Sequence, residues 1–348
     1  MSQKRKEWID IYKGIAILLV IIGHLNISPM LYRFIFSFHM YAFFFVSGFT
    51  YSEKKEQHIH TYIYNNFKKL VIPYFLFAFL WDISHLFILF YTTHTMDLSL
   101  DSIIKNILTV VLCGTIKSNA SIGPAWFLIA LFVMRINFRF LIKLTHNNKC
   151  LIMIVSIALF VLAYCFNGSD YLPFKIFSTL SAYLFMSTGY ISKDQIEKIY
   201  LKTNFGINIL MIIFFFSTAF IFSTFQDTDL LLVSNILPHN IVLVLLCAFA
   251  GIFGLIFLSF TMEKNLLSKL LIYYGRNSLI IMGTHSELHF LSRFLLEKIG
   301  ISGKINDVIT FFITIILVIP IIQILNNHFP KLVGHTNNNT GEMKHVTI

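Results

Sequence analysis

Apolar runs of about twenty residues, parted by short polar stretches, recur along the whole chain. That is the length an α-helix needs to cross a hydrocarbon core of roughly 30 Å. Ten runs qualify as expected spans: 8–27, 34–52, 70–92, 122–141, 150–167, 172–192, 205–225, 239–262, 271–296 and 305–326. Segment 101–116 is amphipathic, suited to lying on the surface or re-entering, and would raise the count to eleven if it crossed. The pattern predicts an all-α integral membrane protein of about ten transmembrane helices. Residues 1–7 are expected to form a short cytoplasmic segment, 8–326 the transmembrane domain and 327–348 a cytoplasmic polar tail. No room for a soluble domain is expected at either end, and no internal repeat is evident.

Composition agrees. Hydrophobic residues make up 56% of 348 and charged residues 13%, with 38 phenylalanines; the mean hydropathy is +0.73. The net charge of +10 would suit a nucleic-acid binder, but the lysines and arginines sit at the ends of apolar runs, as topology determinants do. With the N-terminus inside, 20 of the 27 basic residues fall on the inner side and 7 on the outer, so both termini are expected in the cytoplasm. The expected location is the cytoplasmic membrane, with membrane lipids as surroundings and no nucleic-acid partner. Lys4, Arg5 and Lys6 before an apolar run imitate a signal peptide, but no small-residue cleavage site follows. Cys113, Cys150, Cys165 and Cys247 have neither metal nor redox spacing.

The first run holds the most informative chemistry. Lys13 and His24 are eleven residues apart, which returns a helix to within about 20° of its starting direction and separates them by about 16 Å. Ionisable groups within a membrane are costly, and that cost marks them as candidates. The bland reading is a snorkelling lysine, paired with Asp10 three residues earlier, and a packing histidine. The functional reading is an anion site at the inner mouth and a proton acceptor nearer the outside.

Other segments add polar groups. His39 enters the second run from the outer side, close enough in sequence for its helix to neighbour the first, and Ser47-Gly48 offers a close helix contact. Lys68 and Lys69 stand at the cytoplasmic entrance of the third run, either as topology signals or as further phosphate contacts. Trp126 follows Gly123-Pro124 as an interface anchor or a pocket wall. The ninth run carries Arg276, Asn277, Ser278, His285 and His289. The last two have metal-ligand spacing but no adjacent third ligand, so no metal is assigned.

Taken in order, these segments resemble the membrane-bound acyltransferase 3 family, in the branch of fucose and polysaccharide O-acetyltransferase-like proteins. The matching pieces are Asp10-x-x-Lys13-Gly14 with His24, F-H-M-Y-A-F-F-F-V-S-G at 38–48, the basic cluster before L-V-I-P-Y, and G-P-A-W-F-L from Gly123. S-T-G-Y-I at 187–191 and G-R-N-S-L…T-H at 275–285 complete the set, covering roughly 8–325. Two departures stand out. Tyr41-Ala42 replaces the usual Pro-Leu, and Asn66 with Lys68-Lys69 stands where many members carry Arg-x-x-Arg.

The resemblance implies an acyl-CoA-dependent O-acetyltransferase. Acetyl-CoA would be a cosubstrate used from the cytoplasm, with no tightly bound cofactor, and the acceptor a hydroxyl of a cell-surface carbohydrate or its lipid-linked precursor. His24 is then expected to be the general base, or to carry the acetyl group in a covalent step. Lys13, Lys68, Lys69 and Trp126 would serve the donor, His39, Ser47, His285 and Asn277 the acceptor, and Asp10 would support Lys13. The competing class is a glycan or small-anion transporter or flippase, against which stands the lack of an inverted repeat. A third is a catalytically silent membrane sensor.

Overall fold

The computed structural model describes residues 6–52, 58–93, 99–113, 122–169 and 172–334. Lys4, Arg5, Lys54, Lys55, Lys117, Lys344 and most of the expected polar tail lie outside the described residues. The chain is helical throughout these stretches. The helices are α1 (Glu7–Gly23), α2 (Pro29–Phe36), α3 (His39–Phe49), α4 (Ile59–Asn66), α5 (Ile72–Thr93), α6 (Leu100–Val111), α7 (Trp126–Leu144) and α8 (Lys149–Cys165). They continue as α9 (Ile176–Ile191), α10 (Lys193–Lys202), α11 (Phe205–Ser223), α12 (Ile241–Met262), α13 (Ser268–Arg276), α14 (Ser278–Lys298) and α15 (Gly303–His328).

Among the described residues, five helical stretches are long and apolar enough to cross a membrane: Pro29–Phe49, Gly123–Leu144, Phe205–Ser223, Ile241–Met262 and Gly303–His328. The other expected spans fall on α1, α5, α8, α9 and the α13–α14 pair. The protein is a multi-pass membrane protein, and its surface has the matching polarity. α11 exposes Phe205, Leu210, Ile213 and Phe214, and α15 exposes Ile305, Val308, Phe312 and Ile316. Such faces suit lipid tails and would be a liability in water. The segment expected near 101–116 becomes α6, whose 12 residues reach about 18 Å, too short for an eleventh span. α6 turns Ser102 and Thr109 inward and leaves Ile103, Ile104 and Ile107 exposed.

Three expected spans stop short or break. α1 stops at Gly23, short of the expected residue 27, and His24 is its C-cap. The next helix follows after a short turn: Pro29 opens α2, and the Ser28 hydroxyl accepts from the Leu31 N–H at 3.3 Å. The expected span 34–52 breaks between α2 and α3 at Ser37-Phe38, which puts His39 at the first position of α3. The span 271–296 breaks at Asn277, whose side chain donates to the Tyr273 carbonyl at 2.8 Å and accepts from Asn326 at 2.9 Å.

α1 lies at the centre, against α13, α12, α3 and α14. Its contact with α13 depends on two glycines. A Cβ on Gly275 would lie 1.8 Å from the Asp10 carbonyl oxygen, and one on Gly14 would lie 2.1 Å from that of Leu271. α3 and α9 meet in the same way through Gly48 and Gly189, whose Cβ atoms would fall 1.9 and 2.1 Å from backbone oxygens. Only residues without a side chain allow helix backbones so close. The glycines of four sequence motifs therefore serve helix crossings that set the spacing around α1.

Candidate active site

Lys13 lines a cavity of about 170 Å³ together with Phe43, Ser47, Phe127, Arg135 and Ser278. The polar part of this lining comes from four helices: α1, α3, α7 and α14. Arg135 is the group that sequence reading missed, having counted only as a topology charge. Its Nε donates to Ser47 Oγ at 3.0 Å and its Nη1 to Asn66 Oδ1 at 3.2 Å. Both partners are neutral. No carboxylate lies within ion-pair distance of Arg135 among the described residues, although other basic side chains have such partners. A half-buried guanidinium held by neutral groups beside a lysine makes an electropositive recess. The available signal was an arginine within the apolar run Phe127–Ile142, which the cost of intramembrane charge marks out. Arg135 reaches Asn66 from α7.

Asp10 is 1% exposed and accepts from Arg276 Nε at 3.1 Å. This bond ties the start of α1 to the end of α13, just beside the Gly275 contact. The carboxylate therefore has a partner 266 residues along the chain, which no local spacing could show.

The other end of α1 carries histidines. His24 is exposed, and its ring centroid lies 5.0 Å from that of His285, which is fully buried. His289, one turn further along α14, has its ring 6.0 Å from that of His285. His39 is brought to the same region but behind Phe36, whose ring lies 4.7 Å from His39 and 6.4 Å from His24.

Partners assign the tautomers of the two buried rings. His285 Nδ1 is 3.0 Å from the carbonyls of Ile281 and Met282, and His39 Nδ1 is 2.8 Å from that of Ile35. Carbonyls only accept, so Nδ1 carries the proton and Nε2 keeps the lone pair in both neutral rings. The Ser286 hydroxyl faces His285 Nε2 at 3.3 Å. The cluster therefore presents proton-accepting nitrogens beside the accessible His24.

α14 links the two ends. Met282 lines the Lys13 cavity, and its carbonyl accepts from His285. α14 runs alongside α1, with Ser278 at the Lys13 level and His285 at the His24 level.

The remaining sequence candidates lie near this axis. Ser47 is on the cavity wall as the acceptor for Arg135. Lys68 and Lys69 ride on a π-helical turn, Phe67–Val71, between α4 and α5. Their neighbour Leu70 lines the cavity, while Lys68 Nζ sits 4.1 Å over the Tyr64 ring. Trp126 is buried at the first turn of α7, and Phe127 beside it forms the wall. Asn277 closes α13 with both amide groups used by Tyr273 and Asn326. Tyr41 stacks on Phe185 of α9 at 3.9 Å, and the Ala42 carbonyl accepts from the Tyr12 hydroxyl at 3.4 Å. The Tyr-Ala departure is thus absorbed by packing. Among the described residues, no three His, Cys, Asp or Glu side chains gather as a metal site.

Comparison with curated proteins returns no match, and neither does comparison with solved structures. A family model described as an acyltransferase domain matches residues 6–326. That match covers nearly every element just described, so the chain belongs to the membrane-bound acyltransferase 3 family.

Proposed function

We propose that this membrane acyltransferase moves an acetyl group from cytoplasmic acetyl-CoA to a hydroxyl of a cell-surface glycan or its lipid-linked precursor. One observation carries the reading: α1 bears a cation at a recess shared with Arg135 and, eleven residues on, an accessible histidine against a second histidine. Coenzyme A has a polyanionic head and a long thin arm ending in the thioester. Lys13 and Arg135 would hold phosphate charge, with Lys68 and Lys69 contributing at the rim. The arm would then run along α1 toward His24. The recess is smaller than a pocket of about 300 Å³ that encloses a whole ligand, so the nucleotide would stay at the cytoplasmic mouth. The excess of basic residues expected inside supports this orientation.

In the proposed step His24 takes the proton of the acceptor hydroxyl as its oxygen attacks the thioester carbon. The new C–O bond forms, the C–S bond breaks, and coenzyme A leaves as a thiolate that takes up a proton. His285, whose ring lies 5.0 Å from that of His24 and whose Nε2 keeps its lone pair, would steady the charge that His24 acquires. His39 stands behind Phe36 as a further acceptor-side group. Ser47 holds Arg135 for the donor, and Trp126 and Asn277 keep the entries of α7 and α14 in place.

The test is His24→Ala in cells lacking the native gene, read by mass analysis of acetyl esters on the surface glycan and by acetyl-CoA binding to the solubilised protein. The expected result is loss of acetyl ester with donor binding kept. Acetyl transfer by a folded H24A protein would overturn the role of His24. A wild-type protein that neither binds acetyl-CoA nor changes glycan acetylation would overturn the reading as a whole.

A further inference from the structure

We infer that His289 binds a second oxygen of the acceptor, so that the acceptor presents a hydroxyl next to the one that reacts. This inference rests on the acyl-transfer reading and goes beyond it by naming the acceptor's local chemistry. His289 is 6% exposed, and neither ring nitrogen has a hydrogen-bond partner among the described residues. A buried imidazole carries one donor and one acceptor in its neutral form, and such groups are nearly always paired. Its neighbour His285 shows the contrast, with Nδ1 spent on two backbone carbonyls. An unspent ring one turn away on the same face calls for a partner from outside the chain.

The surroundings narrow the partner. His289 adjoins His285, which in turn faces the accessible His24. Four residues further on, Arg293 donates to Asp307 at 2.7 Å, and Asp307 Oδ1 also accepts from the Asn26 N–H at 3.3 Å. That clasp pairs Arg293 with Asp307 of α15 and fixes the turn that follows His24, while Glu287, two residues before His289 on α14, lines a separate pocket with Trp81. What remains open at His289 is a neutral donor–acceptor pair, the complement of an alcohol rather than of a carboxylate or phosphate. Ring centres 6.0 Å apart let one histidine pair hold the reacting hydroxyl while His289 holds its neighbour. A sugar with vicinal hydroxyls meets both demands, and an isolated alcohol meets one. His289 is then a binding residue that fixes which hydroxyl is acetylated.

The experiment uses the full-length protein in membranes, labelled acetyl-CoA, and the host's cell-envelope glycan fraction as acceptor, with His289→Ala, His289→Leu and His289→Gln compared. Loss of a hydrogen-bonding group to a bound alcohol predicts a rise of about 10- to 100-fold in acceptor KM for H289A and H289L. Affinity for acetyl-CoA should stay within about twofold. H289Q keeps a donor and an acceptor and should recover most of the loss. The inference is overturned if H289A or H289L keeps the wild-type acceptor KM. It is also overturned if all three variants lose donor affinity and thermal stability together, which is the signature of a packing role. Absence of transfer by the wild type instead overturns the underlying acyl-transfer reading, so the two failures are distinguishable.

Discussion

Replacing Arg135 by alanine is the sharpest test of the proposed donor site. The guanidinium is held by two neutral partners at 3.0 and 3.2 Å, Ser47 Oγ and Asn66 Oδ1. Its removal strands no buried carboxylate. Asn66 keeps its bond to the Tyr62 carbonyl at 2.9 Å, so the structural loss is one acceptor on Asn66 and one on Ser47. That amounts to about 1 kcal/mol each, partly offset by removing a charge that was desolvated at a cost. The binding loss is larger. A unit charge about 4 Å from a phosphate oxygen is worth roughly 4 kcal/mol at an effective dielectric of 20, before the competing desolvation. A net loss of about 2–3 kcal/mol corresponds to a roughly 30- to 150-fold weaker Kd for acetyl-CoA. Arg135→Lys keeps the charge but loses the planar fork, and should fall between alanine and wild type.

The assay is calorimetric titration of acetyl-CoA into detergent-purified protein, beside a thermal-unfolding scan. Donor affinity in the wild type should also fall with salt more steeply than in R135A. A donor Kd within twofold of wild type in folded R135A would refute the argument. So would a large drop in thermal stability with unchanged affinity, since Arg135 would then be a clamp between α3, α4 and α7.

Two further outcomes follow from packing and from an exposed pair. Gly275→Ala places a methyl 1.8 Å from the Asp10 carbonyl, so α1 and α13 must separate. We expect a loss of about 3 kcal/mol or more with weakened donor binding, whereas Gly206→Ala, whose nearest neighbour is Asn204 Oδ1 at 3.6 Å, should be neutral or slightly stabilising; a thermal scan of the two variants side by side decides it. In the loop before α12, His239 hydrogen-bonds Asp227 and holds its carboxyl below the ordinary range. The stabilisation is therefore complete above about pH 4 and disappears as pH falls through the depressed value. His239→Ala should flatten the acid limb of thermal stability below about pH 4, and identical limbs in both proteins would count against the pairing.

Membrane class and helix content were legible in the chain because they rest on local quantities. Run length sets what can cross a bilayer, and a helix's fixed 100° step sets which residues share a face. Lys13 and His24 could be matched from spacing alone. So could the motif order that resembles the family, which the match over residues 6–326 bears out. The breaks were only partly legible. Ser28-Pro29 does announce a new helix, yet the apolar character of 8–27 masked the stop at Gly23.

The tertiary structure decided the rest, because contact between distant helices has no local signature. Asp10 finds Arg276, Arg135 reaches Ser47 and Asn66, and His24 meets His285, each pair at least 69 residues apart. A sequence shows that a membrane helix carries an expensive charge or imidazole. Which helix crosses it, at what depth and with which lone pair facing it depends on the close approach that Gly14, Gly48, Gly189 and Gly275 permit. Those glycines could be seen as motif letters, but their purpose emerged only as backbone-to-backbone distances.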